Sequence, residues 1–292
     1  MSIFTGSAVA LITPFHDGAV DYQSLTNLVE LQIASGTDAI VALGTTGEAA
    51  TLTSDEREEV IRFIVERVSN RIPVIVGTGS NNTEDAIHKS RFAEAVGADG
   101  LLIVTPFYNK TTQEGLLAHY SSIAEQVRLP IIMYNVPSRT GLNLLPETVN
   151  KLVKSCENIV GIKEASGNIE QIVKLAALCP ECDIYSGNDD HVVPILSVGG
   201  KGVISTVANI IPEVMHLMCK AYFDGDVQEA KRLQLALLPL QQAAFCEVNP
   251  IPIKTMMSLL KLCDSEVRLP LVKPSLEHYE LMETTLRENG ML

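Results

Sequence analysis

Short runs of Val, Ile and Leu alternate along most of the chain with longer stretches in which apolar residues recur every three or four positions. The short runs read as buried strands over Ser7–Pro14, Ala39–Gly44, Pro73–Gly79, Gly100–Pro106, Pro130–Val136, Ile159–Ala165, Asp183–Gly187 and Gly202–Val207, most of them ending in Gly, Pro or Ala. Between them the spacing predicts helices. Glu58–Val68 places Val60, Ile61, Ile64, Val65 and Val68 on one face, and Thr53 with Glu56 three residues on forms a capping box ahead of it. Thr83–Ala95, Gln113–Val127, Pro146–Val153, Asn168–Leu178, Asp190–Val198 and Pro212–Tyr222 follow the same pattern. Eight strands alternating with helices is the number that closes a (β/α)8 barrel. A doubly wound sheet is the weaker reading, because Gly44-Thr45-Thr46-Gly47 lacks the spacing of a dinucleotide-binding turn. Past Phe223 only helical patterns remain, over Asp226–Phe245, Lys254–Lys261 and Ser275–Asn289. The expected fold is therefore α/β, a TIM barrel over residues 1–223 with an appended C-terminal helical segment over 224–292.

Composition fits one large core. With 292 residues, 46% of them hydrophobic, the chain is long enough to bury about three-quarters of its unfolded surface. A net charge of −13 and the lack of any Lys/Arg block argue against a nucleic-acid partner. The N-terminus has no positive leader region, and every apolar run is shorter than the ~18 residues a membrane span needs. A cytoplasmic protein is expected, with no membrane partner. Of the six cysteines only Cys179 and Cys182 have motif-like spacing, too little for a zinc site, and reduced structural thiols are expected. The six histidines show no ligand spacing, so no metal site is expected.

Lys163 breaks the hydrophobic pattern. It lies in Ile159-Val160-Gly161-Ile162-Lys163-Glu164-Ala165-Ser166, where a core residue belongs. A buried ammonium either finds a partner or loses its proton, and a lysine with a depressed pKa is the nucleophile of Schiff-base chemistry. From this segment alone a lysine that snorkels to solvent is an equal reading. Barrel enzymes act at the C-terminal ends of their strands. There the chain places Thr45, Thr46, Tyr108, Tyr134, Asn135, Lys163, Gly187 and Ser205, a hydroxyl-rich set around one amine.

Four segments in register now resemble a known family: Gly44-Thr45-Thr46-Gly47-Glu48, Thr105-Pro106-Phe107-Tyr108-Asn109, Tyr134-Asn135-Val136-Pro137-Ser138-Arg139-Thr140-Gly141 and Ile162-Lys163-Glu164-Ala165-Ser166-Gly167. They resemble the dihydrodipicolinate synthase family, within the pyruvate-dependent class I aldolases that include N-acetylneuraminate lyase. The likeness runs to Asn249-Pro250-Ile251-Pro252 and Arg268-Leu269-Pro270. It implies condensation of pyruvate with L-aspartate 4-semialdehyde in lysine and diaminopimelate synthesis, with no cofactor, in a homodimer as minimal active unit and a homotetramer as the assembly. Lys163 resembles the imine-forming lysine, and Tyr134 the central proton carrier, with Thr45 and Tyr108 completing a hydroxyl relay. Thr46 and adjacent backbone N–H groups look like the seat of the pyruvate carboxylate, and Gly187 and Ile204 match pocket-lining positions. The tyrosine matched by Tyr108 reaches, in the family, into the neighbouring subunit's site.

Arg139 bears on specificity. A guanidinium fork matches a carboxylate bidentately, and a chain of charge −13 needs a local cation to receive an anionic substrate. In the neuraminate lyases that position is apolar and the first motif carries Ser in place of Thr45. Glu164 alternates with Lys163 along the strand, points away from it and receives no catalytic role. Another pyruvate aldolase, acting on 2-keto-3-deoxy sugar acids, and a non-catalytic ligand-binding barrel remain as alternatives. Many members are inhibited by lysine in a pocket that commonly holds a tyrosine hydroxyl and histidines; here Phe107, Ser54 and Arg57 stand at those positions, and weak or no inhibition is expected.

Overall fold

The computed structural model describes residues 2–292; residue 1, the first of the expected 1–223 segment, lies outside the described residues. The strands are β1 (Gly6–Ala10), β2 (Phe15–His16), β3 (Ala19–Val20), β4 (Ala39–Ala42), β5 (Val74–Gly77), β6 (Gly100–Val104), β7 (Ile131–Asn135), β8 (Ile159–Glu164), β9 (Asp183–Ser186) and β10 (Gly202–Ser205). β2 and β3 form a separate antiparallel hairpin, and the other eight close into a barrel in the order β1-β10-β9-β8-β7-β6-β5-β4. The (β/α)8 expectation holds, and each barrel strand falls within its predicted run except β1, which begins one residue earlier at Gly6.

The helices are α1 (Tyr22–Ala34), α2 (Ser54–Val68), α3 (Thr83–Ala95), α4 (Gln113–Ala124), α5 (Pro137–Thr140), α6 (Pro146–Ser155), α7 (Ile169–Leu178), α8 (Val192–Leu196), α9 (Pro212–Phe223), α10 (Val227–Ala236), α11 (Leu238–Ala243), α12 (Ile251–Leu259) and α13 (Leu276–Glu288). The capping box is formed: Thr53 accepts from the Glu56 N–H, and the Glu56 carboxylate accepts from the Thr53 N–H. The helix expected over Asp226–Phe245 is broken into α10 and α11 where Pro239 enters the first turn of α11, since a proline has no N–H to continue the ladder. Asp190–Val198 shortens to α8, with its first residues in a 3-10 turn, Asp189–His191. The helix α1 and the β2–β3 hairpin extend the predicted set.

Two compact units group the residues: Pro73–Ile204 with the N-terminal residues up to Gly6, and Ser7–Ile72 with Ser205–Leu292. In the first, β6, β7, β8 and β9 pair in parallel through almost wholly buried residues. Tyr185 spans that core to donate its hydroxyl proton to the Phe4 carbonyl, and its ring stacks on that of Phe4 at 4.4 Å between centroids. In the second, Asn209 ties its turn to β1, donating to Ala10 O and accepting from the Ile12 N–H. All six cysteines are free thiols. No helix among the described residues is long and apolar enough to cross a membrane.

Candidate active site

Lys163 sits on β8, 6% exposed. In register with it on β7 is Tyr134, and because neighbours at one register position share a face of the sheet, the two side chains meet: Nζ lies 4.6 Å from the ring centroid. Burial is the main force that pushes the Lys163 pKa down, to about 8. The positive charge of Arg139 lowers it too, and the Asp189 carboxylate pulls the other way. The result is an amine of which roughly one in ten is neutral at pH 7, against about one in 2,500 for an ordinary lysine. Lys163 is therefore a buried amine that gives up its proton more readily than an ordinary lysine, and the snorkelling reading does not describe it.

Gly187 is where a side chain would not fit. A Cβ there would stand 3.2 Å from Lys163 Cε, 3.1 Å from the Glu164 carbonyl oxygen and 2.6 Å from the Ala165 Cβ. Its N–H donates to that same Glu164 carbonyl at 2.8 Å, so the backbone after β9 lies directly against Lys163. Ile204 is buried in β10. Arg139 is exposed on the single turn α5, whose Pro137 start and left-handed Gly141 end fix its length. Tyr108 is 90% exposed, on a backbone with φ +69°, so this chain alone holds its ring in solvent, not against Lys163.

The opposite face of the same strand pair carries a second, structural pair. Asn135 and Glu164 share a register position, and Asn135 Nδ2 donates to Glu164 Oε2 at 3.0 Å. The carboxylate also accepts from the Ser166 N–H at 2.7 Å and from Gln171 Nε2 at 3.3 Å. Burial pushes the Glu164 pKa up against these bonds. Asn135 further holds Asn143 and the Leu144 N–H, which closes the loop after Arg139. Glu164 points away from Lys163 as its strand parity required.

Thr45 and Thr46 belong to a tight turn after β4. The Gly47 N–H donates to Gly44 O and the Glu48 N–H to Thr45 O, so those two groups serve the turn itself. Thr45 is exposed and Thr46 is 3% exposed, its hydroxyl oxygen accepting from Asn249 Nδ2 at 2.9 Å. Glu48, at φ +51°, forms an ion pair with Lys254 at 2.6 Å in which neither side chain has more than 1% exposure. Its second oxygen accepts from the Arg268 N–H at 3.1 Å. Lys254 Nζ and the Arg268 guanidinium each lie over the ring of Phe15, at 4.1 and 4.3 Å. Removing one member of so buried a pair costs about 3–5 kcal/mol, because the other is left charged without a partner. Asp189, Asn249 and Lys254 are the residues that sequence reasoning missed; for Asn249 the one signal was the Asn249-Pro250-Ile251-Pro252 motif, which had no evident role, and Lys254 entered only as the first residue of a predicted helix. Among the described residues no cluster of three or more His, Cys, Asp or Glu side chains is arranged to hold a metal ion.

A model of the dihydrodipicolinate synthetase family matches residues 3–289. The 4-hydroxy-tetrahydrodipicolinate synthase 1 of Clostridium acetobutylicum is 54% identical over 293 residues that cover 100% of both chains. The 4-hydroxy-tetrahydrodipicolinate synthase of a Thermoanaerobacter species is 52% identical over 293 residues, covering 100% of this chain and 99% of its own. Among solved structures, the chloride-inhibited dihydrodipicolinate synthase from Acinetobacter baumannii complexed with pyruvate aligns over 99% of each chain with a TM-score of 0.96 and 44% identity. Agreement over the full length, in sequence and in the closed barrel alike, leaves no segment to a different origin, and the chain belongs to the dihydrodipicolinate synthetase family.

Proposed function

We propose that this chain condenses pyruvate with L-aspartate 4-semialdehyde, forming 4-hydroxy-tetrahydrodipicolinate by way of an imine on Lys163. The observation that carries the reading is a buried amine, lowered to about pKa 8, stacked on the ring of Tyr134. The neutral amine adds to the keto carbon of pyruvate, and loss of water gives the imine. Loss of a methyl proton then gives an enamine whose carbon attacks the aldehyde. Tyr134 moves protons in these steps, with Thr45 and Tyr108 extending the relay. Thr46 donates to the pyruvate carboxylate, Arg139 receives the carboxylate of the semialdehyde, and Gly187 and Ile204 shape the pocket wall. Tyr108 is supplied across a homodimer, a reading supported by the exposure of its ring in the single chain, and dimers pair into a tetramer. Residues 224–292 act as an appended segment of the barrel, and the enzyme works in the cytoplasm without a cofactor.

The test is a comparison of aldehydes. Purified protein should consume pyruvate with aspartate semialdehyde at least a hundredfold faster than with sugar aldehydes. Equal or faster turnover of the sugars would assign the chain to a sugar-acid aldolase instead.

A further inference from the structure

We infer that Asn249 is a positioning residue for pyruvate, acting through the hydroxyl of Thr46; the inference rests on the reading of Thr46 as the seat of the pyruvate carboxylate. A threonine hydroxyl has one proton and two lone pairs, whereas a carboxylate only accepts. Thr46 serves an anion only if its single proton is aimed at it. Asn249 Nδ2 is a donor and nothing else, and it points at Thr46 Oγ1 from 2.9 Å. That bond occupies a lone pair and keeps the proton free for the substrate. Both residues are buried, at 3% and 6% exposure, so water does not compete for either position.

The amide is held in place by the segment it belongs to. Asn249 lies two residues before α12, and Lys254, near the start of that helix, clamps Glu48, two residues beyond Thr46. Arg268 secures the same turn through its N–H to Glu48 and through two bonds of its guanidinium to Glu56, at 2.6 and 2.7 Å. The C-terminal helical segment thus grips the loop after β4 at residues 46 and 48. Lys254 and Arg268 fix the backbone there, and Asn249 sets the direction of one proton.

Asn249→Asp tests this because it keeps the shape and presents only acceptors when ionised. The Thr46 proton should then turn to the new carboxylate and away from pyruvate. The KM for pyruvate should rise about threefold to tenfold in Asn249→Ala and a further tenfold or more, roughly, in Asn249→Asp. In both, kcat at saturating pyruvate should stay within about threefold of the parent, as expected when binding alone is lost. The excess loss in Asn249→Asp should shrink as pH falls and the introduced carboxyl takes up a proton. In a Thr46→Val background neither substitution should move the pyruvate KM further. Melting temperatures confirm that each variant is folded; if Asn249→Ala is not, Asn249→Ser takes its place. Losses that multiply with that of Thr46→Val, or a fall in kcat at unchanged KM, would overturn the inference. A Thr46→Val enzyme with the parent's pyruvate KM would identify the Thr46 reading itself as the failure, and the inference would fall with it.

Discussion

Lys163 on β8 and Tyr134 on β7 occupy the same register position and meet on one face, Nζ 4.6 Å from the ring centroid. One residue further along the same pair of strands, Asn135 and Glu164 meet on the opposite face. Two alternating strands in parallel register therefore carry an amine–aromatic pair on one face and a hydrogen-bonded amide–carboxylate pair on the other. The period of two explains why adjacent residues, a lysine and a glutamate, have different surroundings.

The lowered pKa of Lys163 sets a pH dependence. Below about pH 8 the amine is mostly protonated, so the rate of imine formation at low pyruvate should rise about tenfold per pH unit and level off above pH 8. Asp189 raises the pKa and Arg139 lowers it. Asp189→Asn should therefore move the bend to lower pH and Arg139→Ala to higher pH. Stopped-flow trapping across pH 6–10 reads all three, and shifts in the reverse directions would contradict the electrostatics.

Arg139→Ala should separate the two substrates. Loss of a charge-assisted carboxylate contact costs about 1.5–3 kcal/mol, so the KM for aspartate semialdehyde should rise roughly 10- to 150-fold. The imine with pyruvate should still form at pH 9, where the amine is available in both proteins. A variant that loses pyruvate and keeps the semialdehyde would mean that Arg139 has another role.

The exposed ring of Tyr108 makes a complementation experiment informative. Lys163→Ala is expected to be inactive and Tyr108→Phe weakly active. Subunits exchanged between them should rebuild one complete site per heterodimer, because one contributes the lysine and the other the tyrosine. Activity equal to the sum of the parents would show that the site is not shared.

Regulation should differ from that of lysine-sensitive relatives. Phe107 offers no hydroxyl to a ligand carboxylate, and Arg57, whose guanidinium donates to the Ala49 carbonyl at 2.7 Å, places a fixed cation where a cationic ligand would bind. Titration with lysine from micromolar to tens of millimolar should give little inhibition. A midpoint below about 1 mM, equivalent to roughly −4 kcal/mol of binding, would refute this.

The barrel was legible because each strand is a short β-branched run broken by Gly, Pro or a polar residue, and Lys163 was legible because it violates that pattern. Helix α1 was not, since its inner face includes Gln32, a polar residue whose amide donates to Ala208 O and whose carbonyl accepts from Thr37. The break at Pro239 was there to be read, yet the heptad-like apolar spacing on either side conceals it. Asn249 illustrates the deeper limit. Its partner Thr46 is 203 residues away, and no local periodicity reports a hydrogen bond over that separation.

In the proposed reaction Lys163 is the amine that carries the substrate. Incubation with pyruvate followed by borohydride, peptide mapping and intact mass measurement addresses it directly. The expected product carries a single added reduced pyruvyl group, located on Lys163 and lost in Lys163→Ala, with buried Lys254 unlabelled. An adduct that persists in Lys163→Ala, or that maps to another lysine, would contradict it.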